Sequence, residues 1–328
     1  TGASNAAFGT DTLKANTTGS ENTALGAYSL DANTTGASNT AVGLSSLSAN
    51  TTASDNTAVG KNSLRDNTTG ASNTAVGLGS LATNTTAANN TAVGYFALVA
   101  NTTGTENTAV GSAALDACTT GSYNSAVGRN SLGALTTGGE NVAMGYHSLD
   151  ANTTGTGNTA LGGSSLGSNT TASYNTGIGY NALAGNETAT GCTAVGSYSL
   201  DANNSGNNNT AVGNAALGAN TTGTRNTAVG ASASDATTTG SYNTSVGSSA
   251  LGAHTTGAEN TTVGYSSMGA LTTGSNNTAM GAHSLVAVTD QAGNAAFGRY
   301  TLAGCTGNYN SAFGYRAMRQ TTTGASNV

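Results

Sequence analysis

The most conspicuous chemistry in this chain lies in asparagines that open the triplet Asn-x-Ser or Asn-x-Thr, the acceptor sequence for N-linked glycans. Eleven of these asparagines lie eleven residues after an anchor, which is the residue, usually Asn, before every Thr-Ala-Val-Gly type segment. Position n below means the residue n places after an anchor. The eleven asparagines of this kind at position 11 are Asn16, Asn33, Asn50, Asn67, Asn84, Asn101, Asn152, Asn169, Asn186, Asn203 and Asn220. They predict either a row of glycosylation sites or a ladder of stacked, hydrogen-bonded amides.

The remaining repeats bear on the choice between a sugar row and an amide ladder. Their position 11 holds Cys118, Leu135, Thr237, His254, Leu271, Val288, Cys305 and Thr321, with no charged residue. A position that accepts Leu, Val and Cys but never Lys or Glu is typical of a packed interior, which favours the ladder. Alternation along the chain from Leu47 points Asn50 outward, as a glycan requires. Both interpretations therefore stay open.

The twelve tyrosines form a second candidate set, because all of them fall at position 5, at position 6 or directly before an anchor. All eight Lys and Arg residues lie at these three places or at position 9, so we expect the four places to face solvent. Exposed Tyr rings bind sugars and protein partners well, although they also cover turns by packing coil on coil. The candidates for contact with a glycan or protein receptor are Tyr95, Tyr146, Tyr180, Tyr265 and Tyr315.

Residue types that support catalysis or metal binding are few and scattered. The three histidines, His147, His254 and His283, have no metal-ligand spacing. No recurring pair of His and carboxylate is present. We therefore expect no enzyme, no metal site and no cofactor.

The three cysteines do not indicate a disulfide. Cys118 and Cys305 share position 11 but lie eleven coils apart, roughly 50 Å at the spacing of stacked strands, whereas a disulfide needs Cα atoms within about 7 Å. Cys192 replaces an anchor Asn. We interpret all three as small buried residues, with the alternative that equivalent cysteines of different chains meet near the axis of a parallel trimer.

All these residues are positioned by one repeat, which fills residues 1–328 as a single array. Eighteen of the nineteen intervals between successive anchors are 17 residues, and the exception, from Asn294 to Asn310, is 16. Position 4 is Gly in all nineteen coils, position 3 is always apolar, and position 8 is Leu or Met except at Ser234. A period this regular is the signature of a stacked architecture.

Short Thr, Val and Leu runs between Gly and Asn favour strands over helices. The pattern predicts an all-β parallel β-roll or β-solenoid of about nineteen coils, each with one strand at Asn-Thr-Ala-Val and a second around Ser-Leu-x-Ala. Positions 3 and 8 are the predicted core. The free energy gained by burying so thin a core does not offset the conformational entropy lost when a coil becomes ordered. We therefore expect the small residues of position 2 to pack against partner chains in a homo-oligomer.

The composition excludes several classes of protein. Charged residues make up 7% of the chain, the net charge is −6, and neither Pro nor Trp occurs. Without a basic cluster we expect no nucleic-acid partner, and without a long apolar run no membrane span in this segment. The chain begins and ends within a repeat, so we expect a segment of a longer fibre, without a capping or anchor domain.

The consensus sequence of the coils, Asn-[Ser/Thr]-Ala-Val-Gly-x-x-[Ser/Ala]-Leu-x-Ala, resembles the head repeats of trimeric autotransporter adhesins. The longer motif Asn-Thr-Ala-Val-Gly-Tyr-x-Ala-Leu-x-x-Asn-Thr-Thr-Gly is similar to arrays in bacterial and phage tail-fibre-like proteins. This resemblance covers the whole chain and implies an intertwined homotrimeric fibre at an extracellular, cell or virion surface, displaying surface for attachment without catalysis.

Three functions follow from the sequence. The first is a structural fibre or adhesin shaft, and the second is a glycosylated extracellular filament whose sequons carry sugar. The third is an ice-binding solenoid, because regular Thr arrays can order water. The paired Thr residues of each coil lie beside Gly in a predicted turn, however, whereas an ice-binding face needs Thr side chains that alternate outward along a strand.

Overall fold

The computed structural model describes residues 2–320 and 323–328, so that Thr321, one of the position 11 residues, lies outside the described part. The chain divides into two compact units, Thr1–Gly163 and Ser164–Val328. Each unit is a parallel β-solenoid, and the described residues contain no helix, hence none long and apolar enough to cross a membrane. The predicted all-β solenoid is confirmed at this level.

Each coil contributes one strand of three residues, which directly follows the anchor. In the first unit the strands are β1 Ala6–Phe8, β2 Thr23–Leu25, β3 Thr40–Val42, β4 Thr57–Val59, β5 Thr74–Val76, β6 Thr91–Val93, β7 Thr108–Val110, β8 Ser125–Val127, β9 Val142–Met144 and β10 Thr159–Leu161. In the second they are β11 Thr176–Ile178, β12 Thr193–Val195, β13 Thr210–Val212, β14 Thr227–Val229, β15 Thr244–Val246, β16 Thr261–Val263, β17 Thr278–Met280, β18 Ala295–Phe297 and β19 Ser311–Phe313.

Successive strands within a unit pair in parallel and in register. Ala41 of β3 lies opposite Ala58 of β4, and the same pairing of equivalent residues recurs along the sheet. Pairing is unchanged across the short interval, where Ala296 of β18 lies opposite Ala312 of β19. In-register pairing converts each position of the repeat into a row of like residues along the solenoid axis.

The inward row of the strand is position 2, not position 3. Ala41 and Ala58 are fully buried, whereas Val42 is half-buried and Val76 is 36% exposed. The prediction that position 3 belongs to the core is therefore wrong. The prediction that position 2 packs against partner chains is also wrong, because its small residues pack inside their own chain. Alternation along a three-residue strand places positions 1 and 3 on the same outer face.

The predicted second strand around Ser-Leu-x-Ala is also wrong, because this segment is a turn with left-handed residues. Ser45 has φ 52° and Leu47 has φ 53°, and positions 6 and 8 repeat this conformation in the other coils. A left-handed conformation costs a non-glycine residue about 1–2 kcal/mol. Full burial of Leu47 offsets this with roughly 2 kcal/mol. Its N–H also donates a 2.9 Å hydrogen bond to the carbonyl of Ser63 in the next coil.

The Gly of position 4 allows adjacent coils to stack this closely. Gly43 has φ 133°, and a Cβ atom there would lie 2.7 Å from the carbonyl carbon of Gly60 in the next coil. Real Cβ atoms do not approach a backbone carbonyl so closely, and L-residues rarely adopt this φ. The close contact recurs at position 4 from Gly9 to Gly298, and the positive φ recurs at all nineteen position 4 glycines.

Candidate functional site

The interior of each solenoid contains a ladder formed by the anchor asparagines. The amide of Asn39 donates to Oδ1 of Asn22 at 3.1 Å, and the backbone N–H of Asn39 donates to the same oxygen at 3.0 Å. The amide also donates to the carbonyl of Ala53, at position 14 of its own coil. Asn39 therefore joins its coil to the preceding one and ties the start of its coil to the last turn, and the same contacts recur at anchors such as Asn107 and Asn277.

A second ladder is formed by the asparagines of position 11. Asn50 is fully buried, and its amide donates to Oδ1 of Asn33 at 2.9 Å and to the carbonyl of Ala53 at 3.0 Å. Asn67 then donates to Oδ1 of Asn50 at 3.2 Å. Ser45 and Leu47 are left-handed and precede Asn50, so the alternation of an extended strand does not apply and Asn50 points inward. A glycan on Asn50 would require its amide to leave the interior.

The position 11 ladder ends where the chain replaces Asn by other residues. Oδ1 of Asn220 is buried without a hydrogen-bond partner, because the next coil offers Thr237 in place of an Asn amide. The hydroxyl of Thr237 instead lies 3.1 Å from Nδ1 of His254. The break therefore leaves a buried polar atom unpaired, which costs stability.

His254 lies within the core of the second unit. Its side chain is fully buried, with Thr237 at Nδ1 and the amide of Asn260 3.5 Å from Nε2. Desolvation lowers its pKa from 6.5 to about 4, despite an opposing hydrogen bond with Gly257. The ring is therefore neutral at pH 7 and serves as a packed core residue.

The three cysteines are free and buried inside the solenoid. Burial raises the pKa of the Cys118 thiol to about 11 and also raises that of Cys192. Cys192 keeps part of the anchor ladder, because its N–H donates to Oδ1 of Asn175 and its Sγ lies 3.2 Å from the carbonyl of Gly206. Equivalent thiols of other chains therefore have no access to these residues in this fold.

The outward face of the strands carries rows of Thr and apolar residues. Thr108 at position 1 is half-buried, and Val110 at position 3 of the same strand is 36% exposed. Val93 in the preceding coil is equally exposed, and Met144 and Phe313 extend further into solvent at 52% and 72%. We call positions 1 and 3 of all coils in a unit the outer stripe. It contains no charged residue and repeats with every coil.

The five candidate tyrosines lie at the border of the outer stripe. Their exposed fractions range from 54% for Tyr180 to 62% for Tyr315. Their rings contact neighbours in the same or the next coil and do not meet one another. Tyr146 packs edge-on against His147, for example, and Tyr180 packs against Tyr198 with ring centroids 5.5 Å apart. The set is thus a series of separate surface positions.

One cluster on this surface is not among the sites predicted from the sequence. Arg299, Arg316 and Arg319 each place the guanidinium carbon within 6 Å of the centroid of the Tyr300 ring. The three arginines lie 17 and 3 residues apart, so no run of basic residues reveals them. Their places at positions 5, 6 and 9 of neighbouring coils were the available signal.

The described part of the chain contains no group of three or more His, Cys, Asp or Glu side chains arranged to hold a metal ion. The Asp residues that recur at position 9 lie in separate coils and do not form such a group. Burial raises the pKa of Asp31, Asp116, Asp201 and Asp235 above the usual value for Asp. Each carboxylate is half-buried beside its own turn and is part of the local structure of that turn.

The fold and these surfaces define a β-solenoid repeat protein. No protein-family model matches the chain, and no curated protein or solved structure matches it either.

Proposed function

We propose that this chain is a structural repeat array of an extracellular fibre, in which parallel copies associate as a homotrimer through their outer stripes. The role is to hold and display an attachment surface, without catalysis. The resemblance to adhesin heads and tail-fibre arrays is the basis for placing this role at a cell or virion surface. The observation that carries the proposal is the continuous, uncharged outer stripe with half-exposed Val110 and its equivalents.

The outer stripe favours a second copy of the same chain over an unrelated partner. A partner that covers every coil in the same way must repeat at the strand spacing of about 4.8 Å, and a parallel copy has that period. Apolar side chains such as Val93 and Val110 gain by leaving water. The absence of charge along the stripe removes the desolvation penalty that would oppose such packing.

The mass of the particle in solution tests this proposal. Sedimentation equilibrium should give three times the chain mass, and the double variant Val93→Asp and Val110→Asp should reduce it to the mass of one chain. The matched control is Ser112→Asp, because Ser112 is exposed at position 5 beside the stripe. A wild-type particle with the mass of one chain contradicts the homotrimer. Dissociation of the Ser112 variant would mean that the stripe is not the specific interface.

Ice binding is a second candidate, favoured by the same stripe. The outward Thr residues come from the strands and not from the turns, so that Thr91 and Thr108 stand in register on one face. These Thr residues repeat along the axis at about 4.8 Å, with one outward Thr and one outward Val in each strand. Thermal hysteresis that disappears with Thr91→Tyr and Thr108→Tyr supports this role, whereas no hysteresis at high protein concentration excludes it.

A further inference from the structure

The second unit carries a positive surface region on a negative chain. Residues 291–328 contain Arg299, Arg316 and Arg319 and no Asp or Glu, although the whole chain has a net charge of −6. All three arginine side chains are exposed. In the described part of the chain none of the three guanidinium groups forms an ion pair with a carboxylate. Three unpaired cations held close together attract an anion.

The arginines surround a column of aromatic rings. Tyr265 packs edge-on against His283, and His283 stacks on Tyr300 with ring centroids 5.2 Å apart and an interplanar angle of 6°. The guanidinium carbon of Arg299 lies 4.7 Å from the Tyr300 centroid, and that of Arg319 lies 5.6 Å from it. Stacking and cation–π contacts hold these side chains in place, which reduces the entropy lost when a ligand binds.

The column continues into the next coil at Tyr315. The guanidinium carbon of Arg316 lies 5.0 Å from the Tyr315 centroid and 5.9 Å from that of Tyr300, so it links the two rings. Tyr315 is 62% exposed and offers a free ring surface. We call Tyr265, His283, Tyr300, Tyr315 and the three arginines the aromatic–arginine strip.

A surface cavity of about 360 Å³ opens beside the strip. Tyr300, Arg319 and Gln320 supply its polar and aromatic lining, and Val286, Ala303 and Gly304 supply the rest. The volume lies in the range of small-ligand sites, about 300–1,000 Å³. The cavity therefore offers one cation, one amide and one ring edge to the same ligand.

The geometry points to the aromatic–arginine strip as a binding site for an acidic saccharide, a sugar that bears carboxylate or sulfate groups. Arginines bind such groups through paired, charge-assisted hydrogen bonds. The exposed ring of Tyr315 packs against the apolar face of a sugar, and Gln320 hydrogen-bonds to hydroxyl groups. This inference rests on the proposed display function and names the ligand class of one displayed surface.

Calorimetric titration at low ionic strength tests the site with four probes. These are 3′-sialyllactose for a carboxylated sugar, a heparin-derived hexasaccharide for a sulfated one, lactose for a neutral one and sodium sulfate for the bare anion. We expect one of the acidic sugars to bind at least tenfold more tightly than lactose and sulfate, and more weakly as salt is added. The combined variant Arg299→Gln, Arg316→Gln and Arg319→Gln should weaken that binding at least tenfold.

The control variant is Arg225→Gln, because the guanidinium carbon of Arg225 lies 5.4 Å from the centroid of the Tyr242 ring and no second arginine of the described residues lies over that ring. It should leave the affinity unchanged. Equal binding of sulfate and the acidic sugars, or no binding of either sugar at millimolar concentration, overturns the proposal. Tighter binding of a single-stranded oligonucleotide at the same salt also overturns it. The triple variant should keep the wild-type particle mass, so failure here is distinct from failure of the homotrimer.

Discussion

Asn50 donates a hydrogen bond to Oδ1 of Asn33, which lies 17 residues earlier in the chain, with 2.9 Å between the two atoms. Both side chains are fully buried. Each amide thus uses its donor on the preceding coil and offers its acceptor to the following one. The contact is repeated from coil to coil. The resulting hydrogen bonds hold neighbouring coils together, which a solenoid with so thin an apolar core requires.

Substitution of Asn50 by Asp should strongly destabilise the fold. The carboxylate keeps the shape of the amide but loses the donor and faces two acceptors, Oδ1 of Asn33 and the carbonyl of Ala53. A buried, uncompensated charge of this kind costs roughly 3 kcal/mol or more at pH 7. Denaturant unfolding followed by circular dichroism measures the loss. Asn62→Asp, at the outer position 6, is the control, and equal stability of the two variants contradicts the ladder.

Substitution of Thr262 by Val should stabilise the second unit. Thr262 occupies the inward position 2 of β16, and its hydroxyl is buried without a hydrogen-bond partner. Val has nearly the same shape and no polar atom, so the free energy of unfolding should rise by about 1 kcal/mol. Thr256→Val is the control at an exposed residue outside the outer stripe, where we expect a change within about 0.5 kcal/mol. A loss of stability in Thr262→Val would mean that the hydroxyl has a partner.

Stability should fall on acidification because of His254. Its pKa is about 4 in the fold, lowered by burial from 6.5. Between these values the unfolded chain binds a proton that the folded chain does not. The stabilisation is therefore complete above pH 6.5 and decreases as the pH falls to about 4, by about 3 kcal/mol in total.

Unfolding measured at pH 7, 5.5 and 4 checks this dependence. The variant His254→Leu should remove this component of the pH dependence, since Leu271 fills the same position in the next coil. If His254→Leu keeps the full wild-type dependence between pH 6.5 and 4, another group causes it.

The thiols should resist modification in the folded chain. Cys118 is fully buried, and a pKa of about 11 leaves roughly one thiol in a thousand ionised at pH 8. We expect no reaction of Cys118, Cys192 or Cys305 with Ellman's reagent until denaturant is added, when all three should react. An engineered Ser112→Cys thiol on the surface provides the positive control. Rapid modification of the native chain would indicate local opening of the coils.

Much of the fold is predictable from the spacing of residues. The 17-residue period implies stacked coils, Gly43 and its equivalents mark a close contact between coils, and Leu47 and its equivalents mark a core row. The mixture of Asn and apolar residues at position 11 indicates a packed site. These features follow from the sequence because each coil places the same residue types at the same backbone position.

The number of strands and the side of the strand that faces inward do not follow from the sequence. Leu47 is not a residue that favours φ 53°, so the sequence gives no sign of the left-handed turn that redirects Asn50 inward. Ala41 and Val42 are both apolar, and bulk alone favours the wrong one as the core residue. The large Leu side chains fill the interior and leave room opposite them only for small side chains, mostly Ala.

The sequence by itself determined the period, the in-register stacking and the scarcity of charge. Only the tertiary structure decided that Asn50 is a buried donor, that Val110 belongs to an outer stripe and that Arg299, Arg316 and Arg319 surround one tyrosine. The physical reason is that these relationships join residues of different coils. The partner atoms come together only when the coils stack, so no single stretch of sequence contains them.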